Sequence, residues 1–146
     1  MGKSRRAGDP RVLFFGLGDI RKPSTRYRCY DMARHMGERG LDAEVFSLRS
    51  SLDAREGTFL KEPRAYTRYL RACRGYDVVV FQKHYSRMSL RAMRATKALG
   101  KLVVYDIDDS IHVIEAYSRD VLEMARMADL VGLARAGRLI SDPERA

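Results

Sequence analysis

The sequence predicts an α/β protein: a Rossmann-like, three-layer α/β/α sandwich with a parallel sheet of about five strands. Three observations carry this prediction. Strand-like runs alternate with helix-like runs along nearly the whole chain, and three of the strand-like runs are almost continuously apolar, as in strands buried on both faces. The segments between them are long enough for the helical crossovers that parallel strands require. The 146 residues fit one domain and are too few for a two-domain enzyme.

The strands are predicted from five short runs rich in β-branched and aromatic residues. In chain order they are Arg11–Gly16, Ala43–Leu48, Asp77–Gln82, Leu102–Tyr105 and Leu130–Leu133. The first two helices are predicted from apolar residues that recur at helical spacing. One stripe consists of Cys29, Met32, Ala33 and Met36, and the other of Tyr66, Tyr69, Leu70 and Cys73. Two more helices are predicted over Arg87–Leu99 and Ala116–Ala128.

Glycine follows each of the first three predicted helices, just before the next strand. Gly40, Gly75 and Gly100 occupy these junctions, where helices commonly end in a left-handed residue that favours glycine. Pro63 suits the first turn of the second helix, because its missing N–H would have no partner there. The resulting element order is β-α-β-α-β-α-β-α-β.

The domain is expected to span residues 11–134, between a flexible basic N-terminus at 1–10 and a polar C-terminal tail at 135–146. The longest apolar runs have four residues, too few to cross a bilayer, and no secretory signal is recognised. The two cysteines lack a CxxC partner, which is typical of reduced core thiols in a cytoplasmic protein. The irregular segment Arg49–Glu62 is long for a compact domain, and such loops are usually functional or mobile.

Positive charge is concentrated in the first two thirds of the chain. Residues 1–101 carry 23 Lys and Arg against 10 Asp and Glu, and residues 102–146 carry 5 against 9, giving the net charge of +9. Two predicted helices bear arginine stripes: Arg64, Arg68 and Arg71, then Arg87, Arg91 and Arg94. These stripes fit peripheral contact with the anionic inner face of a membrane, and equally a solvated surface. A basic module that binds nucleic acid or an anionic membrane ranks third among the functions, and nucleic acid is disfavoured as a partner because no recognised binding motif accompanies the charge.

Ligands of an open parallel sheet collect at the carboxyl ends of its strands, so the residues after each strand form the candidate site. After the first strand, Gly16 and Gly18 let the backbone approach a ligand, and Ser24 or Thr25 can cap the next helix. Arg28, in the first turn of that helix, could form a bidentate contact with a phosphate. The third glycine of the dinucleotide fingerprint is absent, which disfavours NAD. The glycines and Ser24 fit a tight turn and a helix cap equally well.

Polar side chains also follow the third and fourth predicted strands. Gln82 and Lys83 end the third strand, where Lys83 offers a point charge for a phosphate or carboxylate. Asp106, Asp108 and Asp109 follow the fourth. Three carboxylates so close repel one another unless a cation, an arginine or a helix N-terminus shares their charge. Two of them can instead be turn caps or solvated groups.

The run Asp106-Ile107-Asp108-Asp109-Ser110 fits the first motif of haloacid-dehalogenase-like phosphotransferases. Asp106 would then be the nucleophile and Asp108 the general acid and base, with Mg²⁺ holding the phosphate. In that family the motif opens the domain, and the hydroxyl, lysine and paired-aspartate motifs follow. Only 36 residues follow Ser110, and they contain no lysine, so this alternative lacks the parts it needs.

The ordered segments resemble the N-terminal domain of GT-B glycosyltransferases of the large family-4 type. The likeness covers about Arg11 to Leu133. It rests on four segments in the family's order and spacing: Pro23-Ser24-Thr25-x-Tyr27-Arg28, Glu38-Arg39-Gly40 before a strand, Val78–Gln82, and Tyr105-Asp106-Ile107-Asp108-Asp109.

The resemblance implies the acceptor-binding half of an enzyme that moves a sugar from a nucleotide donor to a glycan or lipid-linked acceptor. The glycine loop with Arg28 would lie near the donor phosphates, and the three aspartates would border the acceptor pocket. No metal or cofactor is implied for this chain, since the nucleotide-sugar belongs to the complete enzyme. Many members carry a histidine where this chain has Asp106, so the catalytic residues are left unassigned.

The chain is therefore expected to be a truncated or stand-alone domain. In the family a donor-binding domain with a Glu-x7-Glu pattern follows, whereas here a short polar tail follows Leu133. We expect the chain to be inactive unless a separate donor-binding domain completes the cleft.

Overall fold

A parallel sheet forms the middle layer of the computed structural model, which describes residues 8–16, 18–47, 63–82, 87–107, 119–133 and 139–140. The strands are β1 Arg11–Gly16, β2 Asp42–Ser47, β3 Val78–Gln82, β4 Leu102–Ile107, β5 Leu130–Leu133 and β6 Leu139–Ile140. They lie in the order β2-β1-β3-β4-β5-β6. The strands β1 to β5 pair in parallel, and β6 pairs antiparallel with β5. The predicted Rossmann-like α/β fold is confirmed, with one short strand more than expected.

The described helices follow the predicted positions. The helix α1 is continuous and has three segments: α-helical Pro23–Thr25, π-helical Arg26–Tyr30 and α-helical Asp31–Glu38. The others are α2 Pro63–Arg74, α3 Arg87–Ala98 and α4 Arg119–Met127. Residues 116–118 of the predicted fourth helix lie outside the described residues, as do the segment Arg49–Glu62, residues 1–7 and residues 141–146. None of the described helices has the length and apolar character needed to cross a membrane.

One strand boundary differs from the prediction in a way that matters for the site. The strand β4 runs two residues beyond Tyr105 and therefore includes Asp106. Its neighbours explain the extension, because Asp106 is in register with Gln82 of β3 on one side and with Gly132 of β5 on the other. Asp106 is thus held by the sheet rather than placed in the loop that follows it.

Helices cover both faces of the sheet, as the three-layer prediction requires. On one face, α2, α3 and α4 pack over a large core whose centre is aromatic: the ring centroid of Phe15 lies 4.4 Å from that of Tyr69 and 5.3 Å from that of Phe81. The Tyr69 hydroxyl is 2.6 Å from the Thr96 hydroxyl, so this buried polar group has a partner. On the other face, α1 is the helix among the described residues that packs over a smaller core of Val12, Phe14, Cys29 and Ala33.

The apolar stripe predicted for the first helix is correct at three positions and wrong at one. Cys29 and Ala33 are buried and Met36 packs against them, whereas Met32 is 47% exposed. Successive helical residues are rotated by about 100°, and Cys29 and Ala33 set the buried line. Met32 immediately precedes Ala33 and consequently turns away from the sheet.

Two of the three predicted left-handed glycines are confirmed. Gly40 and Gly100 have φ of 88° and 73°, while Gly75 is not in the left-handed region. Gly75 instead allows the Arg11 side chain to approach the backbone. The Arg11 Nη1 donates to the Gly75 carbonyl at 2.6 Å, and a Cβ on Gly75 would lie 3.3 Å from that nitrogen.

Side-chain carboxylates connect neighbouring strands at the amino edge of the sheet. Asp77 accepts a hydrogen bond from the Arg11 N–H at 2.8 Å, and Asp129 accepts one from the Val103 N–H at 2.7 Å. The Arg11 Nε also donates to Asp42 at 2.7 Å. The first two bonds satisfy backbone N–H groups near the starts of strands, and the third joins two side chains. All three lie at the edge opposite the carboxyl edge, where ligands of such sheets bind.

Candidate functional site

Five residues form a row across the carboxyl edge of the sheet. The strand register aligns Ser47 with Gly16, Gly16 with Gln82, Gln82 with Asp106, and Asp106 with Gly132. We call these residues the carboxyl-edge row. Since side chains alternate along a strand, the row shares the α1 face of the sheet. The rest of that face is apolar, for example at Val12, Phe14 and Val80. The polar side chains of this face therefore lie at the carboxyl ends of the strands.

Three side chains from the first half of α1 lie over this row. The Thr25 hydroxyl is 3.5 Å from the Gln82 Oε1, and the Cys29 sulfur is 3.9 Å from the same oxygen. The Arg28 Nη1 donates to the Asp106 Oδ1 in an ion pair. Arg28 and Cys29 both belong to the π-helical segment, a feature that recurs at functional sites.

Gly16 provides the space that lets α1 approach the sheet. A Cβ at this position would lie 2.8 Å from the Thr25 methyl carbon and 3.4 Å from the Cys29 sulfur. A methyl group would therefore push the helix away. Gly16, which the sequence predicts to admit a ligand, thus also gives α1 room to pack on the sheet.

The predicted helix cap at Ser24 or Thr25 is wrong. The cap residue is Lys22, which makes no side-chain capping bond, and Pro23 takes the first helical position. Because a proline at that position favours helix initiation, α1 begins before either hydroxyl residue. Thr25 is consequently buried inside the helix, where it contacts Gln82.

The loop between β1 and α1 is held by its own hydrogen bonds. The Ser47 hydroxyl donates to the Gly18 carbonyl at 2.8 Å, and both residues are buried. The Asp19 carboxylate accepts bonds from the Arg21 N–H at 2.9 Å and from its guanidinium at 2.6 Å. The loop therefore positions α1 rather than leaving it free to move.

Gln82 is the most unusual group in the site. Its side chain is completely buried, and among the described residues its Nε2 has no hydrogen-bond partner. An unpaired buried donor costs about 1–3 kcal/mol. Gln82 also lies where the strand order reverses, between β1 and β3, which is where ligands of such sheets bind. The amide thus keeps a donor that no described residue satisfies, at the place in the sheet where a ligand acceptor is expected.

The Arg28–Asp106 pair is largely shielded from solvent. The two side chains are 24% and 21% exposed, so the pair is stronger than a surface ion pair. Burial, with the Asp106 charge, raises the pKa of the neighbouring Cys29 thiol to about 12, although Arg28 opposes the shift. Cys29 is thus a neutral thiol at physiological pH and not a nucleophile.

The structure brings together five of the residues predicted for the site: Gly16, Thr25, Arg28, Gln82 and Asp106. Gly18 adjoins them in the β1–α1 loop, and Ser24 is half-buried in the first turn of α1. Lys83, Asp108 and Asp109 lie outside the described residues. Within the described chain, no cluster of three or more His, Cys, Asp and Glu has the arrangement of a metal site.

Two side chains of the site, those of Cys29 and Ser47, were not predicted from the sequence, nor was the glycine of the row, Gly132. Cys29 fits the apolar stripe of α1, so nothing distinguished it from a core residue. Ser47 was placed inside a strand, and only the observed end of β2 at Ser47 shows that it occupies the carboxyl edge. Aligning the ends of the predicted parallel strands would have placed Ser47 at the carboxyl edge. It would not have found Cys29, which lies on a helix.

Comparison with known proteins leaves the function to be argued from the site, because no protein-family model and no curated protein matches the chain. The carboxyl-edge row offers a buried amide donor and a carboxylate acceptor, and the Arg28 guanidinium of α1 lies over it. Such a set can bind a ligand whose groups both donate and accept hydrogen bonds.

Proposed function

We propose that this chain is the acceptor-binding half of a cytoplasmic, nucleotide-sugar-dependent GT-B glycosyltransferase. Its ligand would be a hydroxyl-bearing glycan or a lipid-linked sugar. Transfer would require a donor-binding domain that supplies the nucleotide-sugar. The observation that carries this proposal is the buried Gln82 Nε2, which has no hydrogen-bond partner among the described residues and lies beside the Arg28–Asp106 pair at the reversal of strand order.

Sugar hydroxyls match the chemistry of this row. A hydroxyl donates one hydrogen bond and accepts up to two, so it can accept from the Gln82 amide while donating to the Asp106 carboxylate. Gln82 and Asp106 are register partners on adjacent strands, which places their backbones about 4.8 Å apart. Two groups at that spacing can contact one hydroxyl or two adjacent hydroxyls of a sugar ring.

The other residues would position the acceptor and not react with it. Arg28 holds Asp106 in place through their ion pair. Thr25 and Cys29 lie beside the oxygen end of the Gln82 amide, at 3.5 Å and 3.9 Å. The catalysis of sugar transfer would then depend on groups contributed together with the donor.

The composition of the chain allows a direct test by nuclear magnetic resonance. The sequence contains one Gln and no Asn, so a ¹⁵N–¹H correlation spectrum shows one side-chain carboxamide, that of Gln82. We expect this signal to shift when neutral oligosaccharides or water-soluble, short-chain prenyl-phosphate-linked sugars are titrated. In Gln82→Met, which keeps the volume and removes the amide, the affinity for the same compound should fall at least about tenfold.

Thr96→Val is the matched control. Thr96 is equally buried but lies in the core on the opposite face, so the variant should bind as the parent does. A panel in which no sugar moves the Gln82 signal would contradict the proposal. So would sugar transfer by the 146-residue chain alone, or Mg²⁺-dependent release of phosphate from an ester that Asp106→Asn abolishes.

A further inference from the structure

A second surface adjoins the site at the start of α1. The Ile20–Tyr27 segment carries two of the large apolar side chains that are exposed among the described residues, with Ile20 52% and Tyr27 60% exposed. Pro23 lies between them and is also exposed. These three residues lie within eight consecutive positions of the chain, and exposed apolar side chains grouped in one segment suggest an interaction surface.

The same segment is rich in positive charge. Residues 18–28 contain four cations and one carboxylate. Asp19 pairs with Arg21, and Arg28 pairs with Asp106 in the site. The described contacts of Arg26 are with Tyr27: its guanidinium lies 4.8 Å from the ring centroid and donates to the hydroxyl at 3.0 Å. The segment therefore presents an exposed unit of an aromatic ring and a cation.

We propose that the Ile20–Tyr27 segment docks onto an anionic lipid bilayer. An exposed tyrosine, an aliphatic side chain and nearby basic residues suit the boundary between headgroups and acyl chains, where apolar groups insert and cations face the phosphates. Nucleic acid fits less well, because Arg26 covers a face of the Tyr27 ring that a base would need for stacking.

This surface differs from the arginine stripes that first suggested membrane contact. Arg68, Arg71 and Arg87 of those stripes are exposed, but the described side chains of α2 and α3 include no large exposed apolar residue. Charge alone gives a weak attraction that salt screens. The Ile20–Tyr27 segment combines charge with insertable apolar groups, so it is the stronger membrane-binding surface.

The position of the segment links membrane binding to the site. Thr25, within the segment, contacts Gln82, and Arg28 follows it directly. A chain bound through this segment would hold the carboxyl-edge row next to the headgroups, where a lipid-linked acceptor presents its polar part. Only this last step rests on the proposed function, since binding to lipid needs neither a sugar nor a donor domain.

Co-sedimentation of the pure chain with vesicles tests the proposal in the absence of any sugar. Vesicles of phosphatidylcholine alone are compared with vesicles containing about one third phosphatidylglycerol, at low and at high salt. We expect partitioning only with the anionic vesicles, weakened by salt. Lys22→Gln with Arg26→Gln should lower the partition coefficient about thirtyfold, because each cation near the surface contributes about fivefold. Ile20→Ser with Tyr27→Ser should lower it at least about fivefold.

Arg68→Gln with Arg71→Gln is the control, because it removes the same charge from the exposed face of α2. This variant should keep at least half of the parent partition coefficient. An equal loss in the control would overturn the proposal in favour of general electrostatic binding. Three other results would also overturn the proposal. The parent chain would not bind the vesicles, the Ile20→Ser/Tyr27→Ser variant would keep the parent partition coefficient, or duplex DNA would displace the chain from the vesicles. The Gln82 signal with soluble sugars is read separately, so either proposal can fail alone.

Discussion

The Arg28–Asp106 pair shows how single side chains determine the geometry of the site. It joins α1 to β4 across 78 positions of sequence, and it holds the helix over the carboxyl-edge row. Removing one partner leaves a partly buried charge without its counterion, which costs more than the pair contributes. The two residues should therefore be strongly coupled in stability.

A double-mutant cycle measures that coupling. Arg28→Met and Asp106→Asn should each lower the free energy of unfolding by about 1–3 kcal/mol. The double variant should lose at least about 1 kcal/mol less than the sum of the two. Urea unfolding provides the values, and additive losses would show that the pair does not bind α1 to the sheet.

The close packing of α1 against Gly16 gives a prediction about steric effects on stability. Gly16→Ala should destabilise the protein by about 1–3 kcal/mol, because its Cβ would lie 2.8 Å from the Thr25 methyl carbon. Thr25→Ser removes that methyl and should restore much of the loss in the double variant. Gly18→Ala is the comparison, since its Cβ meets mainly the flexible Lys22 side chain. Thermal unfolding of the parent, Gly16→Ala, Gly16→Ala/Thr25→Ser and Gly18→Ala tests this prediction. If the double variant is no more stable than Gly16→Ala, the Thr25 methyl is not the group with which the new Cβ clashes.

Among the elements, α1 depends most on an irregularity. The Asp31 N–H donates to the Arg26 carbonyl five residues earlier, which widens the helix for one turn. On either side of this turn, Thr25 meets the sheet at Gly16 and Ala33 meets it in the small core. A regular helix would rotate one of these contacts away by about 100°.

Deleting one residue of the π-helical segment tests its role. Removal of Tyr27, which is exposed, should convert the segment to α-helix and destabilise the protein by about 1–3 kcal/mol. The Gln82 carboxamide signal should move as well, because Thr25 and Cys29 would no longer face it. Tyr27→Ala removes the side chain and keeps the spacing, so it should change neither quantity much. Equal effects in the two variants would show that the helix spacing is unimportant.

At the scale of the whole molecule, the fold follows from local patterns and the site follows only in part. Runs such as Val78–Phe81 specify buried strands, and the connections specify parallel pairing, so the sheet was predictable. Topology then brings Gly16, Gln82 and Asp106 to one edge. The π-helical segment, Cys29 beside Gln82, and Arg11 at Gly75 were not predictable, because each depends on packing between distant segments.

Buried thiols and phenols make global stability sensitive to alkaline pH. Burial raises the pKa of Cys29 from 9.0 and that of Tyr76 from 10.0, each to about 12, and it also raises the pKa values of Cys73 and Tyr69. The unfolded chain releases these protons first, so their contribution is complete below pH 9.0 and is lost as pH rises towards about 12.

We expect the free energy of unfolding in urea to fall steadily between about pH 9 and 11, by at most about 1.4 kcal/mol per pH unit for each group. Cys29→Ala should flatten the decline relative to the parent, because one of the shifted groups is gone. A stability that is constant over this range would show that these thiols and phenols have the same pKa values in the folded and the unfolded chain.

The carboxyl-edge row also has a consequence for the kinetics of folding. Its members come from five strands, and the parallel pairs β1–β2, β1–β3, β3–β4 and β4–β5 must all form before the row exists. Parallel pairs join segments far apart in sequence and therefore form slowly. No early hairpin or helical intermediate can contain this site. Appearance of the native Gln82 signal during refolding would thus mark the completed sheet.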